Sequence, residues 1–169
     1  MRPIRSLFLC LLTLVSCAPK PKVAPGAVVE AFYAELLTHP IFGPPDSGAF
    51  RRIAPFLSDT IQARLLAARA EMERQTRAAP TEKPPLVDED LFSSLMEGPT
   101  SFYVKGTRNG KEGSMVLVQL ENRTGNSSVQ WVDTVYVVPH DTTWVVIDID
   151  YGGTWPMAAR GTLQQRLLP

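Results

Sequence analysis

The sequence predicts an α+β domain in which N-terminal helices pack on a four-stranded antiparallel sheet. Two observations favour this fold class. Between residues 26 and 78 apolar side chains recur with the 3.6-residue period of helices, and after residue 101 they recur with the two-residue period of strands. Helices that precede a run of strands are typical of α+β order. The 169 residues fit a single domain with a core of its own.

Residues 1–16 have the pattern of a bacterial lipoprotein signal peptide. Arg2 and Arg5 precede an apolar run of nine residues, much shorter than the ~20 that a membrane-spanning helix needs. The run ends in Leu14-Val15-Ser16-Cys17, which resembles the lipobox. The resemblance implies that Cys17 becomes the lipidated N-terminus and anchors the protein to a membrane. Because Ala18 stands where an Asp would favour the inner membrane, we expect the outer membrane, facing the periplasm; an ordinary cleaved signal peptide is the alternative.

Composition excludes several functional classes. Cys10 leaves with the signal peptide, so Cys17 is the only cysteine of the mature chain and no disulfide, thiolate metal site or cysteine nucleophile is expected. The 17 basic residues balance the 17 acidic ones, which argues against nucleic-acid binding. The consecutive acids Asp88-Glu89-Asp90 diverge too much for a metal site and are expected to cap a helical turn at residues 91–96 or to lie in solvent. No metal and no cofactor is predicted.

The first half of the mature chain reads as a tether followed by helices. Residues 17–25, rich in Pro and Lys, predict an extended tether, and the domain is expected to span residues 26–169. A first helix is predicted over Gly26–Thr38, and a short helical segment over Ala49–Phe56. Ser58-Asp59 is predicted to begin a longer helix that ends near Ala78, with Asp59 and Gln62 at capping-box spacing. The Pro-rich residues 79–90 are expected to be irregular.

The second half reads as strands. They are predicted over Ser101–Thr107, Met115–Glu121, Val129–Val138 and Trp144–Tyr151, with Asn109-Gly110 in the first turn. The third strand is apolar on both faces, so we expect it inside the sheet and covered on both sides. In the fourth strand Val145, Ile147, Ile149 and Tyr151 are predicted to share one face, opposite Asp148 and Asp150. Thr162 and Gln165 predict a capped C-terminal helix.

These features resemble a known family. The lipobox, the helix Val28-Val29-Glu30-Ala31-Phe32-Tyr33, the segment Phe56-Leu57-Ser58 and the ending Trp144 to Tyr151 followed by Gly161-Thr162-Leu163 are similar to the DUF3828-type bacterial lipoproteins of the NTF2-like (cystatin-like) superfamily. The resemblance implies a curved sheet wrapped around helices, with a cavity at its open end. The family implies no specific activity.

Three functional hypotheses follow. The first is a non-catalytic module of the cell envelope that binds a small ligand or an envelope protein, with a candidate surface formed by Trp131, Trp155, Asp148, Asp150 and Tyr151. The second is an NTF2-like enzyme that uses Asp148 and Asp150, about 7 Å apart on one strand, as general acid or base. The third is an inhibitor or immunity-type protein. No nucleophile–base pair is evident, so no catalytic residue is assigned.

Overall fold

The computed structural model describes residues 20–168, which form helices followed by one four-stranded antiparallel sheet. The helices are α1 (Pro25–Thr38), α2 (Ser47–Ile53), a 3-10 turn (Ala54–Phe56), α3 (Asp59–Ala78) and α4 (Leu163–Arg166). The strands are β1 (Ser101–Asn109), β2 (Ser114–Thr124), β3 (Ser127–His140) and β4 (Thr143–Asp150), in the spatial order β1-β2-β3-β4. The predicted α+β class is confirmed. The predicted signal peptide and the lipid acceptor Cys17 lie outside the described residues.

Short polar side chains begin the helices. Asp46 accepts hydrogen bonds from the backbone N–H groups of Gly48 and Ala49 at the start of α2, both at 2.8 Å. At α3 the cap is Ser58, whose hydroxyl accepts from the N–H of Ile61. The predicted capping box of Asp59 with Gln62 is wrong, because Gln62 instead donates to carbonyl groups of the preceding turn. The predicted box of Thr162 with Gln165 is confirmed in α4.

A bulge in β4 changes which side chains face the core. Tyr136 pairs with Asp148 and Val137 pairs with Val146, so Ile147 is an extra residue in β4. As a result Val146 is fully buried and Ile147 is half-buried. The prediction that Val145 and Ile147 share a face with Ile149 is therefore wrong, and Val145 pairs instead with Val138 on the outer side. Beyond the bulge, Asp148 and Asp150 pair with Tyr136 and Thr134 and share the face opposite Ile149, as predicted.

The sheet has one buried face and one open face. On β3 the inner positions Trp131, Asp133, Val135 and Val137 are buried, whereas alternate residues such as Tyr136 are half-buried. β3 lies between β2 and β4, as predicted for an interior strand. The predicted cover on both of its faces is wrong: the outer side also carries the exposed Leu117 of β2, which pairs with Thr134.

The core joins α1, α3, the inner face of the sheet and an irregular segment, residues 91–94. Phe32 of α1 contacts Phe92 of this segment with ring centroids 5.5 Å apart, and Tyr33 contacts Phe102 of β1 at 5.6 Å. All four residues of the segment, Leu91, Phe92, Ser93 and Ser94, are at most 1% exposed. The helical turn predicted after Asp90 is absent, and these residues pack in the core without regular secondary structure.

The chain is held against the sheet before α1 begins. The backbone N–H of Lys22 donates to the carbonyl of Thr142 at 2.9 Å, and the indole N–H of Trp144 donates to the carbonyl of Val23 at 3.0 Å. The described part of the predicted tether therefore lies on the β3–β4 turn. Within residues 20–168 no helix is both long and apolar enough to cross a membrane.

Candidate functional site

Asp133 is a fully buried carboxylate in the middle of β3. It accepts hydrogen bonds from the backbone N–H of Ser94 (2.9 Å), the indole N–H of Trp131 (3.1 Å) and the backbone N–H of Gly152 (2.8 Å). The hydroxyl of Ser94 also donates to it. Burial raises the pKa of Asp133, and these donors oppose the rise because they favour the charged form. The carboxylate thus binds strand β3 to two other parts of the chain.

Further hydrogen bonds hold residues 91–94 in the core. The hydroxyl of Ser94 accepts from the N–H of Gly153 at 2.9 Å, and the carbonyl of Ser94 accepts from the N–H of Ala159 at 2.8 Å. The hydroxyl groups of Tyr33 and Tyr151 donate to the carbonyls of Phe92 and Leu91 at 3.0 and 2.6 Å. An irregular segment can be buried only when its backbone polar groups find partners, and these side chains supply them.

Asp90 is a second buried carboxylate, just before this segment. Its Oδ1 accepts from the N–H of Phe92 at 2.6 Å, and the hydroxyl of Ser93 donates to its Oδ2 at 3.2 Å. Burial raises the pKa of Asp90 to about 7; the negative charge of Asp133 adds to the rise, while the two hydrogen bonds and the Arg166 guanidinium oppose it. Gly98 lies against this carboxylate with φ of 73°, and a Cβ there would be 2.8 Å from Oδ2.

Asp90 lines a pocket of about 230 Å³ beside the C-terminal end of α1. Its walls are mostly apolar, and Asp90 and Glu97 are the ionisable carboxylates among them. No basic side chain belongs to the lining, which consists of Tyr33, Leu36, Leu37, Pro40, Ile41, Phe42, Asp90, Glu97, Gly98, Pro99 and Thr100. Phe42 is 52% exposed. A concave apolar site with a few polar groups is the usual form of a small-molecule site.

The hydroxyl groups of this pocket are already engaged. Tyr33 donates to the carbonyl of Phe92, and Thr100 donates to the carbonyl of Glu121 and accepts from the N–H of Arg123. Neither hydroxyl has a base beside it in these contacts. The lining therefore offers binding groups and no nucleophile–base pair. No group of three or more His, Cys, Asp or Glu side chains in residues 20–168 is arranged to hold a metal ion.

The five residues of the predicted surface separate into two groups. Trp131 and Trp155 contact each other with ring centroids 5.4 Å apart, and Trp131 donates to Asp133. Tyr151 directly precedes Gly152, whose N–H also donates to Asp133. Trp131 and Tyr151 are buried and belong to the core, and Trp155 is half-buried against it.

The two acids of the predicted surface lie on the other face of the sheet. Asp148 accepts from the N–H groups of Ile149 and Gln164, both at 2.9 Å, so it connects β4 to α4. Asp150 is exposed. Neither acid lines the pocket that contains Asp90.

The acids of the buried network and of the pocket, Asp133, Asp90 and Glu97, were not predicted as site residues from the sequence. Asp133 had a detectable signal, because it occupies an inner position of an otherwise apolar interior strand, between Trp131 and Val135. Glu97 and Asp90 had no comparable signal. Asp90 is one of three adjacent acids, and residues 79–100 carry no periodicity from which its burial follows.

Comparison of the chain with protein-family models, with curated proteins and with solved structures gives no match in any of the three. Function is therefore inferred from the pocket, from the buried acids and from the sequence features that precede Lys20.

We expect Asp133→Ala to destabilise the fold by at least about 3 kcal/mol, because four donors, three of them in buried hydrogen bonds, lose their acceptor at once. The matched control is Asp148→Ala, which also removes an acceptor of two backbone N–H groups but at a half-buried site where water can replace it. We expect a loss of about 1 kcal/mol there. Urea unfolding followed by tryptophan fluorescence measures both, and equal losses would contradict the structural role of Asp133.

We expect Asp90→Asn to change the pH dependence of stability. Because the pKa of Asp90 is raised in the folded state, the folded protein binds this proton more tightly, and its contribution to the free energy of unfolding falls as pH rises from about 4 to about 7. The variant lacks this loss, so its stability relative to wild type should increase over that range by a few kcal/mol and stay constant above it. Chemical unfolding at several pH values measures the difference; a difference independent of pH would refute the assignment.

Proposed function

We propose that the chain is a lipid-anchored protein of the bacterial cell envelope whose single NTF2-like domain binds a small, largely apolar ligand without converting it. The observation that carries the proposal is the pocket of about 230 Å³ between α1 and residues 97–100. It combines apolar walls with the carboxylates of Asp90 and Glu97, and the residues that line it include no catalytic pair.

Several features support the NTF2-like assignment. Helices α1 and α3 share one core with the inner face of the four-stranded sheet. The register shifts between Val104 and Gly106 in β1, and opposite Tyr136 and Val137 in β4, and such bulges bend strands. In this arrangement the buried residues 91–94 fill the space on the inner face. The ligand site is then the pocket at the flank, beside the end of α1.

The volume of the pocket limits the size of the ligand. At about 30 Å³ per molecule, it has room for roughly seven waters. Sites for drug-sized ligands are about 300–1,000 Å³, so the pocket suits a smaller molecule, such as one ring with a short substituent.

The positions of the acids support binding over the enzyme hypothesis. Asp148 is engaged by two backbone N–H groups, and Asp150 is exposed on the face away from the core. A general acid or base must reach a bound substrate, and these two carboxylates lie outside the lining of the pocket.

Covalent geometry relates the proposed anchor to the pocket. Only four residues lie between Cys17 and Lys22, whose N–H is bonded to Thr142, so the five steps of extended chain would hold the β3–β4 turn within about 18 Å of the membrane surface if Cys17 carried lipid. Helix α1 begins at Pro25, close to that turn, and its 14 residues extend about 20 Å to the pocket. The proposed site therefore lies at the end of α1 remote from the anchor.

We expect radiolabelled palmitate to label the wild-type protein in a bacterial host and to leave Cys17→Ala unlabelled, because the thiol of Cys17 is the proposed acceptor. Cys10→Ala is the matched control: it removes the other cysteine of the chain and should keep the label. The measurement is autoradiography of the immunoprecipitated protein. Equal labelling of wild type and Cys17→Ala would refute the anchor and leave the proposed ligand site unaffected.

We expect benzyl alcohol to bind the purified protein and to shift the backbone amide resonances of Gly98 and Thr100 in an NMR titration. Phe42→Ala should weaken this binding about threefold or more, because it removes an aromatic wall of the pocket. Tyr103→Ala is the control, since Tyr103 is exposed to a similar extent, 58% against 52%, and lies outside the lining. Shifts confined to other regions, or equal effects of the two variants, would contradict the site.

A further inference from the structure

We propose that this pocket selects an organic ammonium ion of single-ring size, with its cationic group at Asp90 and Glu97 and its apolar body against α1. The inference rests on the proposed function and specifies the chemical class of the ligand. It follows from which side chains line the pocket and from how the Asp90 carboxylate is held.

The charges around the pocket favour a cation. Two carboxylates and no Lys, Arg or His belong to the lining. The guanidinium of Arg166 approaches Asp90 from α4, but it donates to the carbonyl of Asp90 at 3.2 Å and pairs with the carboxylate of Glu89. It also lies over the ring of Tyr151. An anionic ligand would therefore meet two like charges with no cation among the lining residues to offset them, whereas an ammonium ion would meet two opposite charges.

Asp90 is a preorganised acceptor for such a group. One donor binds each of its oxygens, the N–H of Phe92 on Oδ1 and the hydroxyl of Ser93 on Oδ2. A carboxylate has about four lone-pair sites, so acceptor capacity remains on both oxygens. Because the side chain is fixed and largely removed from water, a charge-assisted bond to it would be stronger than one at the surface.

The aromatic walls add to the attraction. Tyr33 and Phe42 line the same pocket as the two acids. The face of an aromatic ring attracts a cation, and this attraction increases when water is excluded. The exposed Phe42 is available to contact a ligand without displacement of any packed side chain.

A neutral donor, such as an alcohol, is the closest competitor. It would fill the same space and donate to Asp90, but it carries no net charge, so it lacks the Coulomb attraction of an ammonium ion to the two carboxylates. A matched series of ligands that differ only in charge therefore separates the two classes.

The test is isothermal titration of the purified protein at pH 7.5 with benzylammonium, benzyl alcohol and benzoate. We expect benzylammonium to bind about fivefold or more tightly than benzyl alcohol, and benzoate to show no measurable binding. In Asp90→Asn the advantage of benzylammonium over benzyl alcohol should fall to twofold or less. Glu97→Gln should reduce it partly. Glu30→Gln, which removes an exposed acid of α1 outside the lining, should retain it.

Failure of the ammonium selectivity and failure of the small-molecule site give different results in this test. If benzyl alcohol binds as tightly as benzylammonium in the wild type, the ammonium class is overturned and a small-molecule site remains. If none of the three ligands binds, the proposed function itself fails. If Asp90→Asn does not fold, the wild-type ranking and the comparison of Glu97→Gln with Glu30→Gln still decide the inference. Glu97 and Glu30 are both exposed, so we expect these two variants to fold.

Discussion

Burial of the Asp133 carboxylate is the constraint on which the rest of the structure depends. A charge in the interior of a sheet is tolerated only with several donors, and β3 itself supplies one of them, the indole N–H of Trp131. The others come from Ser94 and from Gly152, which lie far from Asp133 in sequence. The sheet therefore cannot complete its core alone. It needs residues 91–94 in place, and the turn after β4 beside them.

This requirement also creates the candidate site. To bring Ser94 to Asp133, the chain must enter the core at Asp90 and leave it at Glu97, and both of these acids then line the pocket next to α1. The backbone just before Asp90 is strained. Leu86 and Asp88 have φ values of 63° and 64°, in the left-handed region that residues other than glycine rarely adopt. Burial of Leu91 and Phe92 offsets that strain. The fold and the proposed binding site thus depend on the same segment.

The sequence was sufficient to predict those elements that follow from local periodicity and local capping chemistry. The helices and strands were recognisable because their apolar residues recur at fixed spacings, and the Thr162–Gln165 cap follows from local chemistry. The bulge in β4 could not be predicted from the sequence, because Val146 and Ile147 are both apolar and either could occupy the inner face. The location of Asp90 depends on burial of residues 91–94, whose partners Tyr33, Asp133 and Tyr151 lie 39 to 60 positions away in sequence. A segment without periodicity gives no indication of these contacts. The candidate surface was split because it combined Tyr151 with Asp148 and Asp150, which the alternation along β4 already places on opposite faces.

The raised pKa of Asp90 connects stability to binding. In the absence of a ligand the buried carboxylate takes up a proton near neutral pH, because burial disfavours its charge more than Phe92 and Ser93 stabilise it. An ammonium ion in the pocket would supply the missing opposite charge, so it would lower this pKa and release the proton. A ligand that binds only the folded state also increases its stability. The acid that weakens the unliganded core above neutral pH is therefore the group through which a cationic ligand would stabilise it.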